Sequence, residues 1–364
     1  MKTLAVLFGG QSTEHEISNL SACFAAENTD KTKYELLMVG ITKDGKWFLY
    51  TGPLDAVRSH TWQDDDAHLV PCILSPCSAH HGLLLLDKAA GTFAVRRVDV
   101  VFPVLHGKNG EDGTVQGLLT LAGIPYVGCD TYASAVCMNK IATKRLCAGL
   151  GVSMAASVEL AAEPDFDMNA AVCAAEEKLG YPVFVKPANA GSSVGITKAR
   201  DRAGLIAGIE KAFAHDRYVL LEEAIDGREV EVAVLGGERD FVSDCGEIAP
   251  NSDFYDYDTK YVSDTAEYYI PARIAPKTAE TVRTAAGKIF RTLGCTGLSR
   301  VDFFVTADEA VYFNEINTIP GFTAISMYPR LMRQSGVDGP ALIEANWRPG
   351  TELPQTGGPG IYHQ

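Results

Sequence analysis

The chain has 364 residues, 46% of them hydrophobic and 21% charged, the make-up of a globular protein long enough for two or three domains. Lys and Arg number 32 against 46 Asp and Glu, a net charge of −14, which argues against nucleic acid or an anionic membrane as the main partner, because phosphate backbones need a basic footprint. No apolar run approaches the roughly 18 residues of a membrane span. The nine cysteines, odd in number and without a CxxC pair, predict reduced buried thiols in a cytoplasmic protein.

In chain order, Leu4–Phe8 is too short for a signal-peptide core and reads as a buried first strand. A helix over about Ile17–Ala26 and a strand over Tyr34–Gly40 follow, a βαβ opening of a parallel sheet. Residues 43–98, with Trp47, Trp62 and His80–His81, are less regular. VDVVFPVLHG predicts a central strand covered on both faces. Its glycine-rich exit, GKNGEDGTVQG, leads into a helix, and ligands bind at such strand exits. From residue 130 helices alternate with short strands, including MNKIATKRLCAGLG, YPVFVKP, YVLLEEAI and EVEVAVLG. AETVRTAAGKIFRTLG is amphipathic, with Val282, Ala286, Ile289 and Leu293 at helical spacing and Gly294 at the C′ position. It feeds LSRVDFFV and AVYFNEIN, read as a hairpin turning at Asp308–Glu309. The tail RPGTELPQTGGPGIYHQ is rich in Pro and Gly, and disorder is expected there.

The sharpest chemical signal from spacing is that hairpin. Arg300 and Asp302 share one face of the first strand, and Glu315 and Asn317 share one of the second. A two-residue turn at Asp308–Glu309 sets Asp302 opposite Glu315 and Arg300 opposite Asn317. Opposed carboxylates destabilise a sheet, so this face should hold a cation, and its oxygen donors suit Mg²⁺. The alternative is a solvated polar face with Arg300 neutralising both acids. VKPANAGSSVGITK delivers Lys186 from a strand into Gly191-Ser192-Ser193-Val194-Gly195, whose N–H groups and hydroxyls suit a phosphate. It lacks the Walker pattern GxxxxGK[ST], and a plain Gly/Ser turn is the blander reading. LFGGQSTEHEIS lacks G-x-G-x-x-G, and its Glu14 and Glu16 either complement the helix dipole or face a ligand. His106, at a strand exit, is either catalytic or a loop anchor. NSDFYDYDTKYVSD, residues 251–264, gathers large rings in a stretch with neither helical nor strand periodicity. With no Ser-His-Asp or zinc pattern present, the combination favours ATP-dependent chemistry.

GGQSTEHEIS, VFPVLHGKNGEDGTVQG, MNKIATK, VKPANAGSSVGI, DFYDYDTKYVSD, GLSRVDFF and NEINTIPGFT occur in an order that resembles the D-alanine–D-alanine ligase family of ATP-grasp enzymes, over residues 4 to about 335. Lys108-Asn109 and the long stretch before the His106 strand are most similar to the vancomycin-resistance-type D-Ala–D-Ala and D-Ala–D-Ser ligases. The resemblance implies an α/β protein of ATP-grasp architecture: an N-terminal Rossmann-like domain (1–129), a central lid domain (130–225), a C-terminal catalytic domain (226–345) and a tail (346–364). ATP, two Mg²⁺ ions (Mn²⁺ able to substitute), D-alanine as substrate and a homodimer come with it, with no nucleic acid and no membrane.

Carried over residue by residue, the resemblance implies that Glu14 holds the first substrate's ammonium and His106 lies by its carboxylate. Lys140, Lys186 and the loop with Ser192 and Ser193 meet the phosphates. Glu222 and Glu229 match adenine and ribose contacts, with the backbone of Ala224 and Ile225 at the base. Asp302, Glu315 and Asn317 match the metal ligands, Arg300 and Gly321 the oxyanion site, and Ser326 the second substrate's carboxylate. Residues 250–268 become a lid that excludes water, with Lys260 on the γ-phosphate and Tyr261 in a latch with Ser192 and Glu14, which favours an amine as second substrate. The chain departs from the family pattern at Asn139, Glu223 and Ile325. Met327 stands where some D-serine-using ligases carry Arg, and its apolar side chain leans towards D-alanine.

Overall fold

The computed structural model describes residues 1–237, 239–249 and 267–347, which form three sheets. The first has seven strands in the order Thr92–Arg97, Gly82–Asp87, Leu69–Leu74, Trp47–Tyr50, Tyr34–Ile41, Lys2–Gly9 and Val100–Pro103. Lys2–Gly9 is parallel to both its neighbours, and helix His15–Glu27 makes the crossover expected of the βαβ opening. Residues 43–98, which lack a clear period, instead extend this sheet as an antiparallel meander. Their strands are only four to six residues long, so turns interrupt any periodicity.

The apolar run VDVVFPVLHG does not form the central strand its composition predicts. Val100–Pro103 is the last strand of the sheet. Val101, Phe102 and Val104 are nevertheless fully buried, because the following chain covers the edge. The Val101 N–H donates to Pro125 O at 2.9 Å, and the Val127 N–H donates to Val101 O at 2.9 Å.

The second sheet, Thr197–Ala199, Val183–Pro187, Tyr218–Glu223 and Ser157–Ala161, is antiparallel throughout. Helices Met168–Leu179 and Arg202–Phe213 cover it, burying Val172, Val185, Ile209 and Leu221 in a core of its own. The third sheet runs Glu267–Tyr269, Phe241–Ala249, Arg228–Leu235, Leu298–Val305, Val311–Asn317 and Ser153–Met154. Helix Pro276–Thr292 lies on it, with Val282, Ala286, Ile289 and Leu293 fully buried and Gly294 in the left-handed conformation (φ +71°). Among the described residues no helix is long and apolar enough to cross a membrane.

The site hairpin differs from its expected form in two ways that cancel. Val305 pairs with Val311, so the connection is a five-residue loop, 306–310, rather than a two-residue turn. A bulge then shifts the register between Phe303↔Phe313 and Asp302↔Glu315. The extra residue, Asn314, restores the expected pairs Asp302↔Glu315 and Arg300↔Asn317.

Candidate active site

Three loops from the first sheet and the second meet at Glu14. The turn after Lys2–Gly9 depends on Gly9 (φ +84°), where a Cβ would lie 2.3 Å from Ile41 O. It places Glu14 at the start of helix His15–Glu27, 7% exposed. The Ser192 hydroxyl donates to its carboxylate across 178 residues of chain. Gly107 (φ +74°) comes close enough that a Cβ there would sit 2.7 Å from Glu14 Oε2. Ser192 and Ser193 themselves have φ of +45° and +60°, in a tight turn closed by the Val194 N–H donating to Gly191 O at 3.0 Å.

His106 is 3% exposed, and burial lowers its basicity against the opposing charge of Glu14 and the bond to Ile319, so the ring is neutral at pH 7. Its Nδ1 lies 2.9 Å from Ile319 O. A carbonyl only accepts, so Nδ1 carries the proton and Nε2 accepts from the Ser21 hydroxyl at 2.8 Å. Ser21 Oγ in turn accepts from the Phe322 N–H at 3.3 Å. Both ring nitrogens therefore tether the 319–322 turn that contains Gly321.

The cations sit on the second sheet and on helix Lys140–Cys147, whose first turn is capped by Asn139 Oδ1 accepting from the Ala142 N–H at 2.9 Å. Lys140 Nζ donates to Ala190 O at 2.9 Å and lies 3.2 Å from Glu315 Oε2. Lys186, on strand Val183–Pro187, lies 2.7 Å from Glu222 Oε2 on the adjacent strand. Burial alone would lower the Lys186 ammonium, but the Glu222 carboxylate, with Glu315 and Glu229 beyond, raises it above its ordinary value. Burial would likewise raise Glu222, yet Lys186 and Lys144 hold it below the usual carboxylate range.

The acids sit on the third sheet. Arg300 donates from Nε and a terminal nitrogen to Asp302 at 2.8 and 2.7 Å, and Asn317 Nδ2 donates to Asp302 Oδ2 at 2.9 Å. Arg300 also lies 3.1 Å from Glu231, a residue the sequence reading passed over. Glu231, Asp302 and Glu315 form one row across three adjacent strands, so the guanidinium sits within an acid ladder. The only signal for Glu231 was its place in the alternation of EVEVAVLG. Glu111 was also missed. It accepts from the Gly107 N–H at 2.8 Å and faces the same cleft as Lys140, Ser192, Glu315 and Asn317. Burial and then the nearby Glu14 carboxylate push its carboxyl up to about 8.

Gly321 lies beside Ser326, whose Oγ would be 3.0 Å from a Cβ at Gly321 and accepts from the Thr323 N–H at 3.1 Å. Ala224 and Ile225 follow strand Tyr218–Glu223, and Glu229 is the second residue of strand Arg228–Leu235 in the third sheet. Met327 is not brought to the cleft: it is 4% exposed and packs in the core, where a Cβ on Gly246 would meet its sulfur at 2.8 Å. Lys260 and Tyr261, with residues 250–266 as a whole, lie outside the described residues, as does the tail from 348.

Two α+β layers facing each other across a cleft, lysines on one wall and a row of acids with a half-buried arginine on the other, define an ATP-grasp enzyme. The chain matches the family models described as D-ala D-ala ligase N-terminus over residues 3–129 and D-ala D-ala ligase C-terminus over residues 146–345, and it belongs to that family. It is 48% identical to the D-alanine–D-alanine ligase of Caldicellulosiruptor bescii, over 94% of this chain and 93% of that one. To the Acetivibrio thermocellus D-alanine–D-alanine ligase it is 47% identical, over 94% of each. Among solved structures, the VanG D-Ala:D-Ser ligase from Enterococcus faecalis matches with a TM-score of 0.87 at 43% identity, over 95% of this chain and 98% of that chain. The D-alanine-D-alanine ligase from Coxiella burnetii matches with a TM-score of 0.81 at 31% identity, over 95% and 94%.

Proposed function

We propose that this protein uses ATP to join two D-alanines into D-alanyl-D-alanine for peptidoglycan precursors, through a D-alanyl phosphate. The observation that supports the reading is the Glu14–Ser192 bond, which joins the carboxylate we assign to the substrate ammonium to the loop we assign to the phosphates. With those roles, an amino acid's carboxylate would lie beside the transferring phosphoryl group.

In this reading Glu14 binds the first D-alanine's ammonium. That substrate's carboxylate oxygen attacks the γ-phosphorus and ADP leaves. The second D-alanine's neutral amine then attacks the acyl carbon, the oxygen carries negative charge, and phosphate is expelled as the carbonyl re-forms, the proton lost from nitrogen leaving with the phosphate. Lys140 and Lys186 neutralise the phosphates, Ser192 and Ser193 close over them, and Arg300 and the Gly321 N–H receive the oxyanion. Ser326 holds the second carboxylate. His106, neutral and bonded at both nitrogens, acts as the anchor that sets Gly321. Glu222 and Glu229 receive adenine and ribose, with the backbone of Ala224 and Ile225 at the base.

Asp302, Glu315 and Asn317 fit Mg²⁺: two carboxylates and an amide oxygen from adjacent strands, with nearby charge answered in the free protein by Arg300 and Lys140. Bound there, the ions would neutralise charge on the transferring phosphoryl group. We further assign three units (1–129, 130–225, 226–345), a cytoplasmic setting and a homodimer. The dimer is supported by the exposed apolar residues Ile73, Phe93 and Val95 on the two strands that flank Gly82–Asp87, Ile73 and Val95 both opposite Leu84, and light scattering tests it.

A D-alanine–D-serine activity is the second reading, favoured by the likeness to the VanG ligase. Purified protein given ATP, Mg²⁺ and D-alanine should release ADP and form the dipeptide, and no D-alanine-dependent ADP release would overturn the proposal. Mixed D-alanine and D-serine, or D-alanine and D-lactate, then identify the second substrate.

A further inference from the structure

Lys140 and Lys144 stand one helical turn apart on helix Lys140–Cys147, yet they reach different parts of the cleft. Lys140 goes to Ala190 O and Glu315, at the phosphate end. Lys144 goes to Glu222 Oε1 at 2.5 Å and to Ala155 O at 2.9 Å. Glu222 thus carries one lysine on each oxygen, Lys144 on Oε1 and Lys186 on Oε2 at 2.7 Å. All three side chains are nearly enclosed, with 12%, 7% and 14% exposure for Lys144, Glu222 and Lys186.

Two cations on one carboxylate exceed what its charge requires. If Lys186 serves the phosphates, its ammonium must turn away from Glu222 at least in part as nucleotide arrives. A buried carboxylate that loses its partner either takes a proton or draws the lysine back. Either outcome would spoil the adenine contact or the phosphate contact. Lys144 has no such second duty. Its ammonium donates to the Ala155 carbonyl as well as to Glu222, and neither partner belongs to the phosphate loop.

We propose that Lys144 is a positioning residue that keeps Glu222 charged and oriented towards the nucleotide base, and so releases Lys186 to the phosphates. This rests on the assignment of Glu222 to adenine and Lys186 to phosphate given above. In effect the pair divides the work: Lys186 exchanges partners during turnover, and Lys144 does not.

The test is steady-state kinetics of the full chain with saturating D-alanine, using ATP and inosine triphosphate, which replaces the adenine amino group by a carbonyl. The variants are Lys144→Met, Lys144→Arg, Glu222→Gln and the double variant Lys144→Met/Glu222→Gln. Lys144→Met should raise KM for ATP about tenfold, the scale of one charge-assisted hydrogen bond, and leave kcat within about twofold. It should also cut the preference for ATP over inosine triphosphate about tenfold. Lys144→Arg should restore most of both, and the effect of Lys144→Met should largely vanish in the Glu222→Gln background. If Lys144→Met folds poorly, Lys144→Gln, which keeps a donor for Ala155 O, is read by ATP-induced thermal stabilisation, expected to shrink. An unchanged ATP preference in Lys144→Met, or effects that simply add to those of Glu222→Gln, would overturn the proposal while leaving the adenine assignment intact. If Glu222→Gln itself does not change the ATP preference, the adenine assignment fails and the proposal falls with it.

Discussion

On the wall built from the second sheet, positive charge is carried on long stems, and each ammonium rests on a glutamate or a carbonyl. On the wall built from the third sheet, the cation is a planar guanidinium on a strand, bonded twice to Asp302 and flanked by Glu231. Burial opposes the charge of Lys186 on one wall and of Arg300 on the other, and carboxylates hold both charged. The difference is in what can move. A lysine can exchange partners by turning bonds in its own stem, whereas Arg300 is committed to its ladder by geometry as well as charge. One wall is suited to following a ligand through binding and turnover, and the other to presenting a fixed field to the reacting atoms.

Substitutions on the two walls should therefore fail differently. The largest effect is expected from Asp302→Asn, which should lower D-alanine-dependent ADP release about a thousandfold while the melting profile keeps its shape. Near-normal turnover would remove Asp302 from the Mg²⁺ ligands. Arg300→Met should cost about 3–5 kcal/mol of stability in urea denaturation, since it leaves Glu231 and Asp302 facing each other without the guanidinium. On the opposite wall Lys186→Met should cost only about 1 kcal/mol, because Glu222 keeps Lys144. Its KM for ATP should nevertheless rise by one to two orders of magnitude, roughly the worth of a buried charge-assisted contact. Equal stability losses on both walls would erase the distinction between a movable and a committed cation.

The smallest expected effect is on pH dependence. The Glu111 carboxyl is raised from 4.5 to about 8, so the folded protein binds a proton that the unfolded chain releases. The stability it contributes is complete below about pH 4.5 and is lost as pH rises through about 8. Glu111→Gln, which can still accept from the Gly107 N–H, should flatten the stability profile across that window. A profile parallel to that of the unaltered protein would show that the shift is not linked to folding.

Much of this was legible because long elements carry strong periods. The amphipathic helix ending at Gly294, the βαβ opening and the pairing of Asp302 with Glu315 are all present as expected. What escaped did so for physical reasons. The strands of 43–98 are too short to show a period, and the edge strand at Val100 reads as central because a neighbouring segment buries it. Glu231 has the polar, alternating look of a solvent-facing position, and only its cross-strand neighbours reveal a site. Lys144 resembles any lysine on the polar side of a helix. Met327 sits next to Ser326 in sequence, yet it starts a helix and turns the other way, into the core.

The bulge at Asn314 has a consequence for the shape of the site rather than its contents. Phe313 faces Phe303 in the apolar layer, and Glu315 and Asn317 face the cleft. With Asn314 removed, the strand would alternate without interruption and every one of these residues would keep its side. The same donors would then sit on a flatter ribbon, because bulges bend a strand and tighten its twist. Curvature, not composition, would be the only thing lost, so such a chain would hold a full complement of ligands aimed at the wrong point in space.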